Sequence, residues 1–129
     1  MNAPFPWTQL LAVALGSILG GVARWRVQFW LNPKWEGFPL GTLLVNCVGG
    51  LLIGMALAWF ERSPSEHGRL FLITGCLGGL TTFSSFSGES LFLLQRGEYA
   101  MALAHSAAHL LGALVCAAVG FWALRSVTG

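Results

Sequence analysis

The chain has 129 residues, of which 55% are hydrophobic and only 9% are charged, and its mean hydropathy is +0.68. Soluble domains usually carry about 25% charged residues, so this composition disfavours a soluble domain. A chain this apolar is also not expected to be disordered. A net charge of +2 is too small to indicate a nucleic-acid partner, and the lack of Asp removes most magnesium, calcium and phosphoryl-transfer chemistry. We therefore expect a membrane protein that is not an enzyme.

Uncharged, apolar stretches separate the charged clusters of the chain. A spanning helix needs about 20 apolar residues, and four stretches reach that length, which predicts an all-α integral membrane protein. The predicted helices cover about 8–30, 38–60, 69–95 and 98–125 of a single transmembrane domain, residues 1–129. Five tryptophans lie near the predicted helix ends, as in the aromatic belt of a membrane interface. They are Trp7, Trp30, Trp35, Trp59 and Trp122.

The basic residues favour neither orientation of these four helices. They fall into two groups of similar size, Arg62, Arg69 and Arg125 on the side with both termini and Arg24, Arg26, Lys34 and Arg96 on the other. Cytoplasmic loops normally hold an excess of Lys and Arg, so this balance gives no direction. Two interpretations stay open: a weakly biased protein oriented by its first helix, and a chain that inserts both ways and pairs as an antiparallel dual-topology homodimer.

The first two predicted helices each contain a polar group that needs an explanation. Arg24 in the first helix either snorkels to the interface or lies at the vestibule of a pore, where it would concentrate anions. Asn46 lies near the middle of the second helix, where an amide needs a partner in another helix, in water or in a ligand. An interhelical hydrogen bond is the simpler interpretation of an isolated Asn.

The third predicted helix contains the sequence GGLTTFSSFS at residues 78–87. Adjacent glycines followed by Thr and Ser predict a third helix broken mid-span, which is tolerated only where the backbone is buried in protein or lines a cavity. Carbonyl groups freed around Gly78 and Thr81 would then suit a small hard cation. The alternative is close helix packing, since three pairs of glycines fit the small-xxx-small pattern. These pairs are Gly16 and Gly20, Gly50 and Gly54, and Gly75 and Gly79.

Phe83 and Phe86 are three residues apart and so share one helix face. Phenylalanine in a membrane ordinarily faces lipid or the core, but these two alternate with hydroxyl residues beside the predicted break. The hydroxyl residues are Thr82, Ser84 and Ser85. The positive edges of the two rings could replace part of an anion's hydration without binding it too tightly. Glu89, the one acid inside a predicted span and not at its first or last residue, either lies at a vestibule or reaches the interface.

The fourth predicted helix carries His105 and His109 at a spacing that puts both on one face. Pairs of metal ligands use the same spacing, but two histidines do not make a metal site. A polar stripe that faces the broken third helix is therefore the favoured interpretation.

Three segments together resemble the CrcB/Fluc fluoride channel family: GGVAR at 20–24, the Gly-Thr and Val-Asn pairs within 41–46, and GGLTTFSSFS at 78–87. The resemblance implies a passive, fluoride-selective channel in the bacterial inner membrane that relieves fluoride toxicity. It implies an antiparallel dual-topology homodimer with two pores, surrounded by the lipid bilayer. It also implies a structural Na⁺ between the subunits, with no organic cofactor.

By matching position, the resemblance assigns roles to individual residues. Gly78 and Thr81 would supply backbone carbonyls to Na⁺, and Arg24 matches a basic residue of the first helix. The side chains assigned to the fluoride pathway are Asn46, Phe83, Phe86, Thr82, Ser84 and Ser85. The fourth helix departs from the family pattern, which often has Asn or Tyr at position 105 and Ser or Asn at position 109. Imidazoles at these positions can still donate hydrogen bonds to an anion.

Two other functions stay open at this point. A small four-helix multidrug or cation transporter would share the size and the dual topology, but such proteins depend on a carboxylate in the first helix, and this chain has none there. A membrane metal or haem protein would use His105 and His109 as ligands. The sequence contains no GxxxxGK[ST] nucleotide-binding motif, which agrees with passive transport.

Overall fold

The computed structural model describes residues 3–34 and 37–129 and is helical throughout its ordered elements. We label the helices α1 (Trp7–Leu31), α2 (Leu40–Arg62), α3 (66–80), α4 (Phe83–Gln95) and α5 (Tyr99–Thr128). A short 3₁₀ turn, Asn32–Lys34, follows α1, and the middle of α3 is π-helical over Leu70–Leu77.

Four segments of the described residues are long and apolar enough to cross a membrane. They are Trp7–Lys34, Leu40–Arg62, Glu66–Gln95 and Tyr99–Thr128. The third of these contains both α3 and α4. The prediction of an all-helical chain with four potential spans is confirmed.

Local sequence explains where the helices of the third span begin and end. Ser65 caps the start of α3, where its hydroxyl accepts a hydrogen bond from the Gly68 N–H at 3.1 Å. Gly97 follows α4 with a φ of +74°, a conformation that glycine adopts without strain. The Glu98 N–H donates back to the Leu93 carbonyl at 2.9 Å, which is the Schellman pattern of a helix end. This turn reverses the chain into α5.

Glycines allow the helices to approach closely in two pairs. Helix α1 packs along α3, and helix α2 packs along α5. A Cβ atom on Gly79 would lie 2.7 Å from the Ser17 carbonyl oxygen, and one on Gly50 would lie 2.5 Å from the Ala113 carbonyl oxygen. These contacts leave no room for a methyl group, so the small-residue pairs do serve close packing, as their spacing allowed.

Large apolar side chains cover the outside of the bundle, as a lipid-facing surface requires. Four of the five tryptophans singled out above are exposed and lie within two turns of the ends of their helices, while Trp35 lies outside the described residues. The four are Trp7, Trp30, Trp59 and Trp122. Their positions suit an interfacial belt.

Candidate functional site

Two residues with extended backbone, Thr81 and Thr82, separate α3 from α4. Thr81 has φ −85° and ψ 155°, and Thr82 has φ −148° and ψ 116°. In a continuous helix the Thr82 N–H would donate to the Gly78 carbonyl and the Ser85 N–H to the Thr81 carbonyl. Here the Thr82 N–H donates to Asn46 Oδ1 at 2.8 Å, and the Ser85 N–H donates to Thr82 Oγ1 at 3.1 Å. The carbonyls of Gly78 and Thr81 therefore lose their helical donors.

Asn46 replaces part of the missing helical hydrogen bonding. Its Oδ1 accepts from the Thr82 N–H, and its Nδ2 donates to the Thr82 carbonyl at 3.0 Å. The same Nδ2 lies 3.0 Å from His109 Nδ1. Since an amide nitrogen can only donate, His109 Nδ1 accepts, and the proton of a neutral imidazole is then on Nε2. Asn46 thus connects the interruption to α5. These hydrogen bonds between helices agree with the simpler of the two interpretations given for Asn46 in the sequence.

His109 presents an N–H donor to the interior of the bundle without a protein acceptor. Its side chain is only 4% exposed, and in the described part of the chain Nε2 is the one buried side-chain polar atom without a hydrogen-bond partner. A buried donor of this kind costs about 1–3 kcal/mol unless something accepts from it. His109 lines a groove of about 550 Å³ together with Asn46, Thr82, Phe83 and Phe86.

The two phenylalanine rings stand beside this donor. Their centroids are 5.3 Å apart at an interplanar angle of 63°, an edge-to-face arrangement. Phe83 is 78% exposed on the surface of the chain, whereas Phe86 lies against His109 at a centroid distance of 4.8 Å. The groove therefore combines aromatic rings with one imidazole donor, because the Asn46 amide already donates to the Thr82 carbonyl and to His109 Nδ1.

Ser84 and Ser85 lie in the first turn of α4. The Ser84 hydroxyl is 3.3 Å from Thr82 Oγ1, and the Ser85 N–H is bound by the same atom. Among the described residues, neither serine is part of the lining of the 550 Å³ groove. Their roles in the fluoride pathway stay predictions.

Glu89 is the centre of a second polar cluster, one turn further along α4. Its Oε1 accepts from the Thr42 hydroxyl, and its Oε2 lies 3.0 Å from Nε2 of the fully buried His105. His105 Nδ1 is in turn 2.9 Å from the Ser90 hydroxyl. Both oxygens of the carboxylate are thus held by donors, which lowers the cost of placing a charge among the helices.

The sequence did not single out several members of this cluster. Thr42 is buried and accepts from Gln28 Nε2 at 3.1 Å and from Asn32 Nδ2 at 3.3 Å. The Gly-Thr pair at 41–42 carried part of the family resemblance but gave Thr42 no role. Its place one turn before Asn46 was a second signal, since two polar residues four apart share a helix face. Ser90 and Gln28 carried no signal, because isolated polar residues near helix ends are common.

The first polar cluster, Asn46 and His109, and the second, around Glu89 and His105, form one polar line between two cavities. The rings of His109 and His105 are 4.5 Å apart. Glu89 lines a second cavity of about 380 Å³, with Asn32 and Arg96 at its wall. The order along the line is therefore the first groove, His109, His105, Glu89 and the second cavity.

Arg24 lies against the third span. Its Nε donates to the Gly79 carbonyl at 2.9 Å. The side chain is half-buried, and it lines neither the groove of about 550 Å³ nor the cavity of about 380 Å³. Its vestibule role stays a prediction.

Residues 11–121 match the family model described as CrcB-like protein, Camphor Resistance (CrcB). The chain belongs to the CrcB family. A fluoride-specific ion channel FluC of Thiobacillus denitrificans is 45% identical over 120 residues, which cover 92% of this chain and 97% of that protein. A protein of the same description from Acinetobacter baumannii is 47% identical over 121 residues, 93% of this chain and 96% of its own length. The resemblance drawn from the three sequence segments is confirmed, and with its four spans this CrcB chain is a multi-pass bacterial membrane protein.

Proposed function

We propose that this chain is a fluoride-specific ion channel that lets F⁻ leave the cell passively and so relieves fluoride toxicity. The observation that carries the proposal is the groove lined by Phe83, Phe86 and His109, whose Nε2 has no hydrogen-bond partner among the described residues. The relatives named as fluoride-specific channels match nearly the full length of this chain. A passive pore suits the chemistry of fluoride, because HF crosses membranes, dissociates inside the cell and leaves F⁻ that cannot return.

The polar line provides what a small anion needs after it loses its water. Buried N–H and O–H groups replace hydration most effectively when they are already oriented. His109 is oriented by Asn46 and keeps an unpartnered Nε2 within the described residues, whereas the Thr42 hydroxyl already donates to Glu89. Edge-on rings add weak positive contacts, and weak contacts allow the ion to leave again.

The engagement of Glu89 argues against a small multidrug transporter. Its carboxylate is in α4, where Thr42 and His105 bind both oxygens. A transporter of that kind needs an acid in its first helix that is free to exchange protons and cations, and α1 contains none.

A second copy of the chain is the proposed partner, in an antiparallel dual-topology homodimer. The groove is open at the surface, and Phe83 at its rim is 78% exposed. A copy related by a two-fold axis would cover this groove and offer an equivalent one of its own, which gives two pores. The nearly even distribution of basic residues supports insertion in both directions.

A structural Na⁺ is proposed at the interruption of the third span, which in this arrangement is buried near the middle of the membrane. The N–H groups that would donate to the Gly78 and Thr81 carbonyls in a continuous helix donate to the side chains of Asn46 and Thr82 instead. The Gly79 carbonyl, in contrast, accepts a hydrogen bond from Arg24. Free backbone carbonyls are the ligands that unwound membrane helices give to Na⁺. Two carbonyls hold an ion poorly, but a two-fold axis beside them would supply four oxygens.

Growth of bacteria in fluoride tests the proposed function. In a strain that lacks its own fluoride exporter, expression of this chain is expected to restore growth in fluoride medium. The control is the same chain with Asn46→Asp, expressed in the membrane at an equal level. Absence of protection by a well-expressed, membrane-inserted chain would contradict the proposal.

A further inference from the structure

Three potential metal ligands from two helices converge inside the bundle. Glu89 lies on α4, and His105 and His109 lie one turn apart on α5. One ligand atom from each residue lies within 4.8 Å of those of the other two. Zn–N and Zn–O bonds of about 2.0–2.2 Å require ligand atoms about 3.3 Å apart in a tetrahedral site. His105 Nε2 and Glu89 Oε2 are already 3.0 Å apart, so small side-chain rotations complete the set.

The second polar atom of each ligand is bound by a different side chain. Oε1 of Glu89 accepts from Thr42, Nδ1 of His105 lies at the Ser90 hydroxyl, and Nδ1 of His109 lies at the Asn46 amide. Such outer partners orient the ligands of protein metal sites. The atoms that these outer partners leave available as ligands are Oε2 of Glu89 and Nε2 of both histidines.

His109 provides the independent indication of a ligand. It is 4% exposed, and its Nε2 has no hydrogen-bond partner within residues 3–34 and 37–129. His105, beside it, is fully buried. A buried imidazole nitrogen without a partner, in a ring 4.5 Å from a second imidazole and grouped with a carboxylate, is a better feature of a metal site than of a hydrophobic core.

We infer that Glu89, His105 and His109 bind a divalent transition cation of the Zn²⁺ class, and that the bound cation blocks the fluoride pathway. The block, but not the binding, rests on the function proposed above. Two nitrogens and one carboxylate oxygen form a donor set that suits Zn²⁺ and not Mg²⁺ or Ca²⁺. Three protein ligands leave an open coordination position. Access for the cation is through the second cavity, which Glu89 lines.

Binding changes the same atoms that the anion pathway uses. When Nε2 of each histidine coordinates the metal, its proton moves to Nδ1. At His105 the new Nδ1–H donates a hydrogen bond to the Ser90 hydroxyl. At His109 the new Nδ1–H faces Asn46, so the amide must turn its oxygen towards the ring and release Thr82. The cation thus removes the free Nε2–H donor and the orientation of Asn46. A fluoride ion that takes the open position is held by the metal and does not pass.

Direct Zn²⁺ binding tests the site without reference to transport. Titration calorimetry on the purified full chain in detergent, at neutral pH, is expected to show one Zn²⁺ per chain. His109→Asn and Glu89→Gln are expected to weaken binding at least about 100-fold, and Ser90→Ala about tenfold, as outer partners do. Size-exclusion chromatography of each variant checks that it is folded.

Two control variants separate this site from surface histidine and thiols. His67, the third histidine, is exposed and lies 3.0 Å from Thr8, so His67→Asn is expected to keep full binding. The cysteine-free chain, with Cys47, Cys76 and Cys116 replaced by Ser, is also expected to bind one Zn²⁺. Loss of binding in either control, or full binding in His109→Asn, would overturn the inference.

Fluoride efflux from liposomes tests the block. Micromolar Zn²⁺ is expected to reduce wild-type efflux at least about tenfold, and a chelator is expected to restore it. Unchanged efflux in Zn²⁺ that calorimetry shows to be bound would refute the block. The two proposals fail separately: Zn²⁺ binding by a chain that never conducts fluoride contradicts only the channel, and conduction without Zn²⁺ binding contradicts only the metal site.

Discussion

Asn46 holds both backbone groups of Thr82, with Oδ1 2.8 Å from the peptide nitrogen and Nδ2 3.0 Å from the carbonyl oxygen. One side chain on α2 therefore takes the place of the helical hydrogen bonds that the third span lacks at this point. The same amide fixes the tautomer of His109. The shape of the third span and the donor in the groove thus depend on one residue.

Asn46→Asp is expected to abolish conduction and to destabilise the chain. A carboxylate still accepts from the Thr82 N–H but cannot donate to its carbonyl, and an unsatisfied buried carbonyl costs about 1–3 kcal/mol. The added negative charge also repels F⁻. Fluoride efflux is expected to fall at least about 100-fold, which corresponds to about 2.7 kcal/mol. Gln95→Glu, the same change at an exposed position, serves as the control, and equal loss there would contradict the role of Asn46.

Replacing either phenylalanine by isoleucine is expected to reduce fluoride efflux strongly while the chain stays folded. Isoleucine keeps apolar volume but has no positive ring edge, and Phe86→Ile also removes the stack on His105, whose ring lies 5.4 Å away. Phe29→Ile, on the outer face of α1, is the matched control. Normal efflux in both Phe83→Ile and Phe86→Ile would show that the rings only pack.

The number of potential spans could be predicted from the sequence because it has a local cause, and the extended backbone of Thr81 and Thr82 lies within the segment where a break was predicted. Charge clusters bound the spans, and a run of Gly, Thr and Ser cannot form a good helix. The setting of Glu89 could not be predicted, since its partner Thr42 is 47 positions away in the chain. For the same reason two histidines did not predict a metal site: the third ligand comes from a different helix.

Arg24→Leu is expected to lower the stability of the chain by about 1–3 kcal/mol, because it leaves the Gly79 carbonyl without its donor. Arg26→Leu is the control, since Arg26 is exposed and its guanidinium lies 5.9 Å from the centroid of the Trp30 ring. Thermal unfolding in detergent measures both variants. Equal melting temperatures would refute an anchoring role for Arg24, and a large loss of efflux without loss of stability would favour the vestibule role.

Dual topology is expected to make a loop position accessible from both sides of the membrane. Ser63 lies in the exposed connection between α2 and α3, so a single cysteine there, in the cysteine-free chain, reports orientation. A membrane-impermeant thiol reagent added to intact cells should label about half of the copies if they insert equally in both directions. Labelling of all copies or of none would contradict an antiparallel dimer.

Fluoride efflux from proteoliposomes is the most direct measurement of the central claim. Purified chain is reconstituted into fluoride-loaded liposomes, the counter-ion is allowed to leave, and external fluoride is followed with a fluoride electrode. Rapid fluoride efflux is expected, with no chloride efflux from matched chloride-loaded liposomes. Comparable chloride efflux, or no fluoride efflux from well-folded chain, would contradict a fluoride-selective channel.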